Sequence, residues 1–116
     1  MKNFLAVFLG SAAAMDAWKA LPEAERKEKE KAGMMAWGKW MEDNKASLVE
    51  GGAPLGKTKK VGKSGISDIR NEMGAYVVVK AADQEAAAKL FLNHPHFTTF
   101  PGDRVEVMEC LPIPTI

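Results

Sequence analysis

The stretch from Gly74 to Ile113, GAYVVVKAADQEAAAKLFLNHPHFTTFPGDRVEVMECLPI, constrains the fold more than any other part of the chain. It reads as strand, amphipathic helix and strand. Ala75 to Ala81 alternates Tyr76, Val78 and Lys80 against Ala75, Val77 and Val79, so most of this strand is apolar on both faces. Asp83 is placed to cap the next helix, which runs to about Asn93 with Ala87, Leu90 and Phe91 on its inner face. His94 follows Ala87 by seven residues and Leu90 by four, which puts it on the same buried face, and Pro95 ends the element. Val105 to Cys110 returns as the last strand.

The N-terminal half repeats the plan. In Phe4 to Leu9, Phe4, Ala6 and Phe8 share one face and Leu5, Val7 and Leu9 the other. The same residues, with Lys2 ahead and SAAAMDA behind, also imitate a secretory signal, but the apolar core is short and one basic residue precedes it. After a loop at Gly10 to Ala20, one long helix is expected from Pro22 to about Asn44, with Pro22 suited to the first turn and Glu23 and Glu25 at the positive end of the dipole. Its first half is nearly all charged, with Glu23 and Lys27, Glu25 and Lys29, and Arg26 and Glu30 spaced four apart as supporting pairs. Its second half places Met34, Trp37 and Met41 on one stripe with Trp40 beside it, and should pack against the sheet. Between the halves of the chain, a strand is expected near Leu48 to Glu50, a turn at Gly51, Gly52 and Pro54, and a weak strand within Lys57 to Ile69.

Two strand–helix units with added strands between the helices give a single α+β domain over residues 1–116, on the ferredoxin-like βαββαβ plan. Two helices cover one face of such an antiparallel sheet. The first and third strands carry large apolar side chains on both faces, so the other face needs a cover. A second copy of the same sheet is the simplest one, which predicts a sheet-to-sheet homodimer.

Composition excludes several classes of partner. Lys and Arg total 16 against 15 Asp and Glu, a formal charge of +1, so no overall field recruits nucleic acid or an anionic membrane. Lys57, Lys59, Lys60 and Lys63 lack interleaved aromatics to stack on bases, and read as edge-strand lysines that block unwanted pairing. No apolar run approaches the roughly 20 residues that cross a bilayer. A single cysteine, Cys110, agrees with a reducing compartment, and a cytoplasmic location is expected.

Three sets of residues carry the resemblance to a known family. They are AWGKWMEDNKASLVEGGAPLGKTKKV, SDIRNEMGAYVVVKAADQEAAAKLFLNHPHF and VEVMECLPI, with a GxP turn at Gly52 to Pro54, the pair Ser67 and Asp68, the Gly-x-Tyr strand at Gly74 to Tyr76 and a final Val-Glu-Val. Over Asn3 to Ile113 the chain resembles the YCII-related proteins of the dimeric α+β barrel superfamily. The resemblance implies a ferredoxin-like fold and face-to-face dimerisation. A few members are similar to enzymes that act on small chlorinated aromatic rings or related cyclic compounds. In some branches Asp-Gly-Pro-Phe stands where this chain has Ser67, Asp68, Ile69 and Arg70, and only the aspartate is retained. Other branches carry a histidine on the first helix, which this chain lacks. His94 matches the histidine or acidic position before proline at the end of the second helix.

These readings nominate a site. His94 is the candidate general acid/base, with Asp68 to fix its tautomer; alternatively it only hydrogen-bonds a local carbonyl. Trp37, Trp40, Tyr76 and Met41 are the candidate ligand-pocket residues, or else core. Trp18 would fold over the cavity mouth or pack at the dimer rim. His96, in extended geometry, would point away from His94. His94, His96 and Cys110 lack the spacing of a zinc site, and the glycine loops GGAPLGK and GKSGIS lack the P-loop pattern, so no metal and no cofactor is expected. Three functions follow: a small-molecule-binding protein, a cofactor-independent lyase or isomerase acting on a small cyclic or aromatic compound, and a purely structural or interaction module.

Overall fold

The computed structural model describes residues 1–115. Its elements are β1 (Lys2–Leu9), α1 (Ala12–Lys19), α2 (Glu23–Asp43), a 3-10 turn at Lys45–Ser47, β2 (Leu48–Pro54), β3 (Thr58–Gly62), β4 (Gly65–Ile69), β5 (Met73–Ala81), α3 (Gln84–Lys89), α4 (Pro95–Thr98) and β6 (Arg104–Glu109). Four strands form an antiparallel sheet in the order β2-β5-β1-β6, and β3 with β4 forms a separate two-stranded hairpin. The sheet has the strand order of the ferredoxin-like plan, with the hairpin inserted between its second and third strands.

The core follows from the alternation along β1 and β5. Phe4 pairs with Val79 and Ala6 with Val77, and all four side chains are buried on the face that receives the helices. Trp40 of α2, Ala87 of α3 and Phe91 complete this layer. Trp40 also ties the two helical units together, since its indole N–H donates to the carbonyl of Leu90 at 2.9 Å. The charged half of α2 carries its three ion pairs, Lys27 with Glu23, Lys29 with Glu25 and Arg26 with Glu30. The two lysine pairs are exposed and the Arg26–Glu30 pair is half-buried, and each is worth a few tenths of a kcal/mol.

The opposite face has no helix on it. Leu5, Val7, Tyr76, Val78 and Met108 share it by register, with Leu5 opposite both Val78 and Met108 and Val7 opposite both Tyr76 and Glu106. Val7 is screened by these neighbours, Leu5 and Val78 are half-buried and Met108 is exposed. The result is a thin slab of 54 × 45 × 18 Å. Its radius of gyration is 16.1 Å, against about 13 Å for a well-rounded domain of this length.

Four expectations need correction. Gly10 to Ala20 is not a loop: Ser11 accepts the Ala14 N–H at 3.1 Å as an N-cap, and the alanines behind it are strong helix formers, so α1 results. The strand from Leu48 does not stop at Glu50 but continues through Gly51, Gly52 and Pro54 on two register shifts, with Gly52 at φ +69°. Lys57 to Ile69 holds two strands rather than one weak one, paired from Thr58 opposite Ile69 to Gly62 opposite Gly65. The helix after β5, α3, ends at Lys89 rather than near Asn93; turns carry the chain on to Asn93, at φ 58°. The hairpin is exposed, with Val61 and Ile66 at 76% and 72%; Lys59 and Lys60 lie on β3, while Lys57 precedes it and Lys63 sits in the turn.

Gly52 is the sensitive point of the sheet edge, because a Cβ there would fall on the Tyr76 carbonyl and the backbone is left-handed. Gly52→Ala is expected to cost about 2 kcal/mol or more. Gly56→Ala, in open space, should stay within about 0.5 kcal/mol of wild type. Urea denaturation midpoints of the two variants make the comparison.

Candidate ligand-binding site

At the end of the slab where β1 and β2 finish and β5 and β6 begin, the structure opens a cavity of about 1380 Å³. One wall comes from the helices, with Met34, Trp37 and Met41 of α2 and Met15 and Trp18 of α1. Phe100, in the turn after α4, closes this wall through contacts with Trp18 at 5.8 Å and Trp37 at 6.1 Å. Gly33 makes that approach possible, since a Cβ at this position would run into the Phe100 ring. Phe8, Ala75 and Tyr76 line the sheet side. The facing wall is the backbone of Gly51 to Leu55 and the base of the hairpin, where Arg70 is held by Asp16 of α1 at 3.0 Å.

Two histidines stand behind the aromatic wall in different states. Pro95 opens α4, so His94 becomes its N-cap, and its Nδ1 accepts the His96 N–H at 3.0 Å. A neutral His94 with Nδ1 accepting carries its proton on Nε2, and that nitrogen has no hydrogen-bond partner. The ring is fully buried among Phe8, Trp37 and Trp40, with centroids 4.8, 4.5 and 4.6 Å away. Burial lowers its pKa to about 4, and the neighbouring His96 adds to the shift. His96 is 9% exposed and lines the cavity. Its Nε2–H donates to the Leu9 carbonyl at 2.7 Å, which fixes the tautomer, and Gly102 leaves room for the ring where a Cβ would collide with it. Burial lowers the His96 pKa, opposed by the Leu9 carbonyl and by Asp103.

Of the residues nominated from sequence, Trp37, Met41, Tyr76 and Asp68 line the cavity. Trp40 does not; it is the buried anchor between α2 and the Leu90 turn. His94 lies behind Trp37, outside the lining. Asp68 stands exposed on β4 in an ion pair with Lys59, so the expected hydrogen bond between His94 and Asp68 is not formed. Met34, placed with Trp37 on the packing stripe, is 68% exposed at the cavity rim. His96 points inward beside His94, contrary to the extended geometry assumed for it, because Pro95 starts a helical turn there. That signal was present in the triplet His94-Pro95-His96, just as Ser11 before three alanines signalled α1 and hence Met15 and Trp18. Tyr76 donates its hydroxyl proton to Glu50 at 2.7 Å, and this bond raises its pKa. Among the described residues no group of His, Cys, Asp and Glu is arranged to hold a metal ion, and no helix is long and apolar enough to cross a membrane.

No protein-family model matches the chain, and no curated protein matches it. Among solved structures it is similar to the 5-chloro-2-hydroxyhydroquinone dehydrochlorinase of Burkholderia phenoliruptrix AC1100 in complex with 2,5-dihydroxybenzoquinone. The identity is 16% and the TM-score 0.49, over 90% of this chain and 89% of that one.

The buried imidazole makes stability depend on pH with a definite sign. The folded-state pKa of His94, about 4, lies below the unfolded value of 6.5, so between these values the unfolded chain binds more protons. Stability should therefore fall as pH drops from 6.5 to 4, by up to about 3 kcal/mol. His94→Asn, which retains a capping oxygen, should flatten most of this slope in chemical denaturation across that range. His96, shifted in the same direction, should leave a residual slope.

Proposed function

We propose that this protein is a YCII-like homodimer that binds a small, flat, largely apolar molecule bearing a hydroxyl group. The aromatic cavity carries this reading. Trp18, Trp37 and Phe100 offer ring faces and the thioethers of Met15, Met34 and Met41 adapt to irregular shapes, while most of the charged lining residues, Lys57, Lys59, Asp68, Arg70 and Glu72, come from the hairpin and its flanks. Tyr76 stands on the uncovered face by register with its hydroxyl given to Glu50, and contributes at the sheet end of the lining; the polar side chain beside the rings is His96. A phenol or a cyclic acid presents that combination of flat apolar body and donor.

The dimer belongs to the same reading. The apolar stripe of Leu5, Val78 and Met108 on the uncovered face, and a radius of gyration well above that of a rounded domain, support a second sheet as its cover. A cytoplasmic location accompanies it, on the single cysteine.

A catalytic form of the reading, a cofactor-independent lyase or isomerase on a small cyclic compound, draws on the imidazole of His96 at the cavity wall. In it His94 acts through His96, whose backbone it caps, and Asp68 is an acid on the hairpin rather than its partner.

A thermal-shift and indole-fluorescence titration with phenols, cyclic acids and lactones tests the binding claim. A ligand at a hundred times its Kd should add about 2.7 kcal/mol of stability to wild type. Trp37→Leu should abolish that gain while remaining folded, and His94→Asn should retain it. Hits that survive Trp37→Leu, or no hits with any of these compounds, would sink the reading. Turnover lost in His96→Gln with binding retained would establish the catalytic form.

A further inference from the structure

One wall of the cavity is held more loosely than the rest. No residue of α1 is buried, and the side chains it turns inward, Met15 and Trp18, are half-buried and line the cavity rather than the core. At eight residues α1 falls short of the roughly 12–15 that sustain an isolated helix in water, so it depends on what it touches. The chain on either side of it is fixed. The Gly10 N–H donates to the Glu72 carbonyl at 3.0 Å before α1, and Arg26 of α2 donates to the Lys19 carbonyl at 3.2 Å at its end.

Two contacts close that wall. Trp18 meets Phe100 at 5.8 Å, and Asp16 meets Arg70 at the base of the hairpin, on the facing wall. The Arg70 guanidinium donates to both carboxylate oxygens of Asp16, at 3.0 and 3.4 Å, and to the Ala12 carbonyl at 3.4 Å, so it grips one turn of α1. The hydrogen bond from Arg70 holds the Asp16 carboxyl below its ordinary range, which keeps the pair charged. Both side chains are nevertheless more than half exposed, and an ion pair in that setting is weak enough to part often. The hairpin that carries Arg70 is itself a separate sheet, so the pair joins two elements that the core does not hold.

We propose that α1 is a gate on the aromatic cavity: ligand enters and leaves when the Asp16–Arg70 latch parts and α1 turns outward between Gly10 and Pro22. In the closed form Met15 and Trp18 cover the ligand, while Trp37 keeps its place on α2. The latch is made whether or not the cavity is filled, so it raises the barriers to entry and to exit alike. It governs how long a ligand stays without governing how tightly it binds. The inference rests on the cavity being the binding site and does not require the dimer.

The test follows 2-naphthol binding in stopped flow, through the change in indole emission, on the full wild-type chain and on Asp16→Asn. Asp16 lies outside the cavity lining, and the amide keeps the shape of the carboxylate without its charge. Association and dissociation rate constants should both rise about threefold, the scale of an exposed ion pair, with Kd unchanged. The difference between the two chains should vanish as salt is raised to about 1 M, where the latch of wild type is screened. Without ligand, hydrogen exchange should be faster at the α1 amides than in the second half of α2, and Asp16→Asn should quicken the α1 amides alone. Binding with both rates unchanged in Asp16→Asn, or with Kd shifted and the association rate unchanged, overturns the gate and leaves the cavity reading standing. Protection of α1 equal to that of α2 also overturns it. Absence of 2-naphthol binding overturns the gate together with the cavity reading for flat phenols.

Discussion

The contact on which the rest of the molecule depends is made by one side chain, Phe8. It is fully buried near the end of β1, and its ring lies 4.7 Å from Trp37, 4.8 Å from His94, 5.3 Å from His96 and 5.8 Å from Phe91. Three stretches distant in sequence meet there: β1, the long helix, and the run from the turn after α3 into the start of α4. Burying so many rings together supplies a large share of the apolar driving force available to a domain of this size. It also determines which groups face outward. With Phe8 occupying the floor, Trp37 is only half-buried and presents ring surface to the cavity, while Trp40 one turn on is sealed into the core.

The same cluster decides the chemistry of the two histidines. His94 packs against the rings of Phe8, Trp37, Trp40 and Phe91, so the neutral form is favoured, and its Nε2–H has no hydrogen-bond partner. His96 sits one step further out, fixed by the Leu9 carbonyl at the end of the same strand as Phe8. The outer imidazole is thus placed by the inner one through the N-cap of α4. The histidine that lines the cavity and the histidine that positions it are two residues apart in the chain, and burial separates them.

Much of this was legible in the sequence, for identifiable reasons. The alternation in β1 and β5 and the spacing of Ala87, Leu90 and Phe91 led directly to the sheet, the helix-covered face and the core, because burial is a period-two or period-3.6 signal; Trp40, nominated for the pocket, went into that core. The i to i+4 pairs of α2 were equally plain. What escaped were features that depend on backbone geometry or on residues brought together from afar. The helical turn at Pro95 reversed the orientation assumed for His96. The bulged path of β2 through Gly51 and Gly52 and the hairpin beyond it carry little apolar pattern, yet they form a whole wall of the cavity. Asp68, chosen because it was an acid in a familiar setting, found Lys59 across the hairpin instead of His94.

A slab with one face covered by helices and an apolar stripe on the other leaves surface that a partner would bury. The central claim is that a second copy of this chain is that partner. Sedimentation equilibrium over a wide concentration range tests it most directly. The account predicts a species of twice 12.6 kDa that persists as the protein is diluted into the low micromolar range. A single species of 12.6 kDa at every concentration would contradict it.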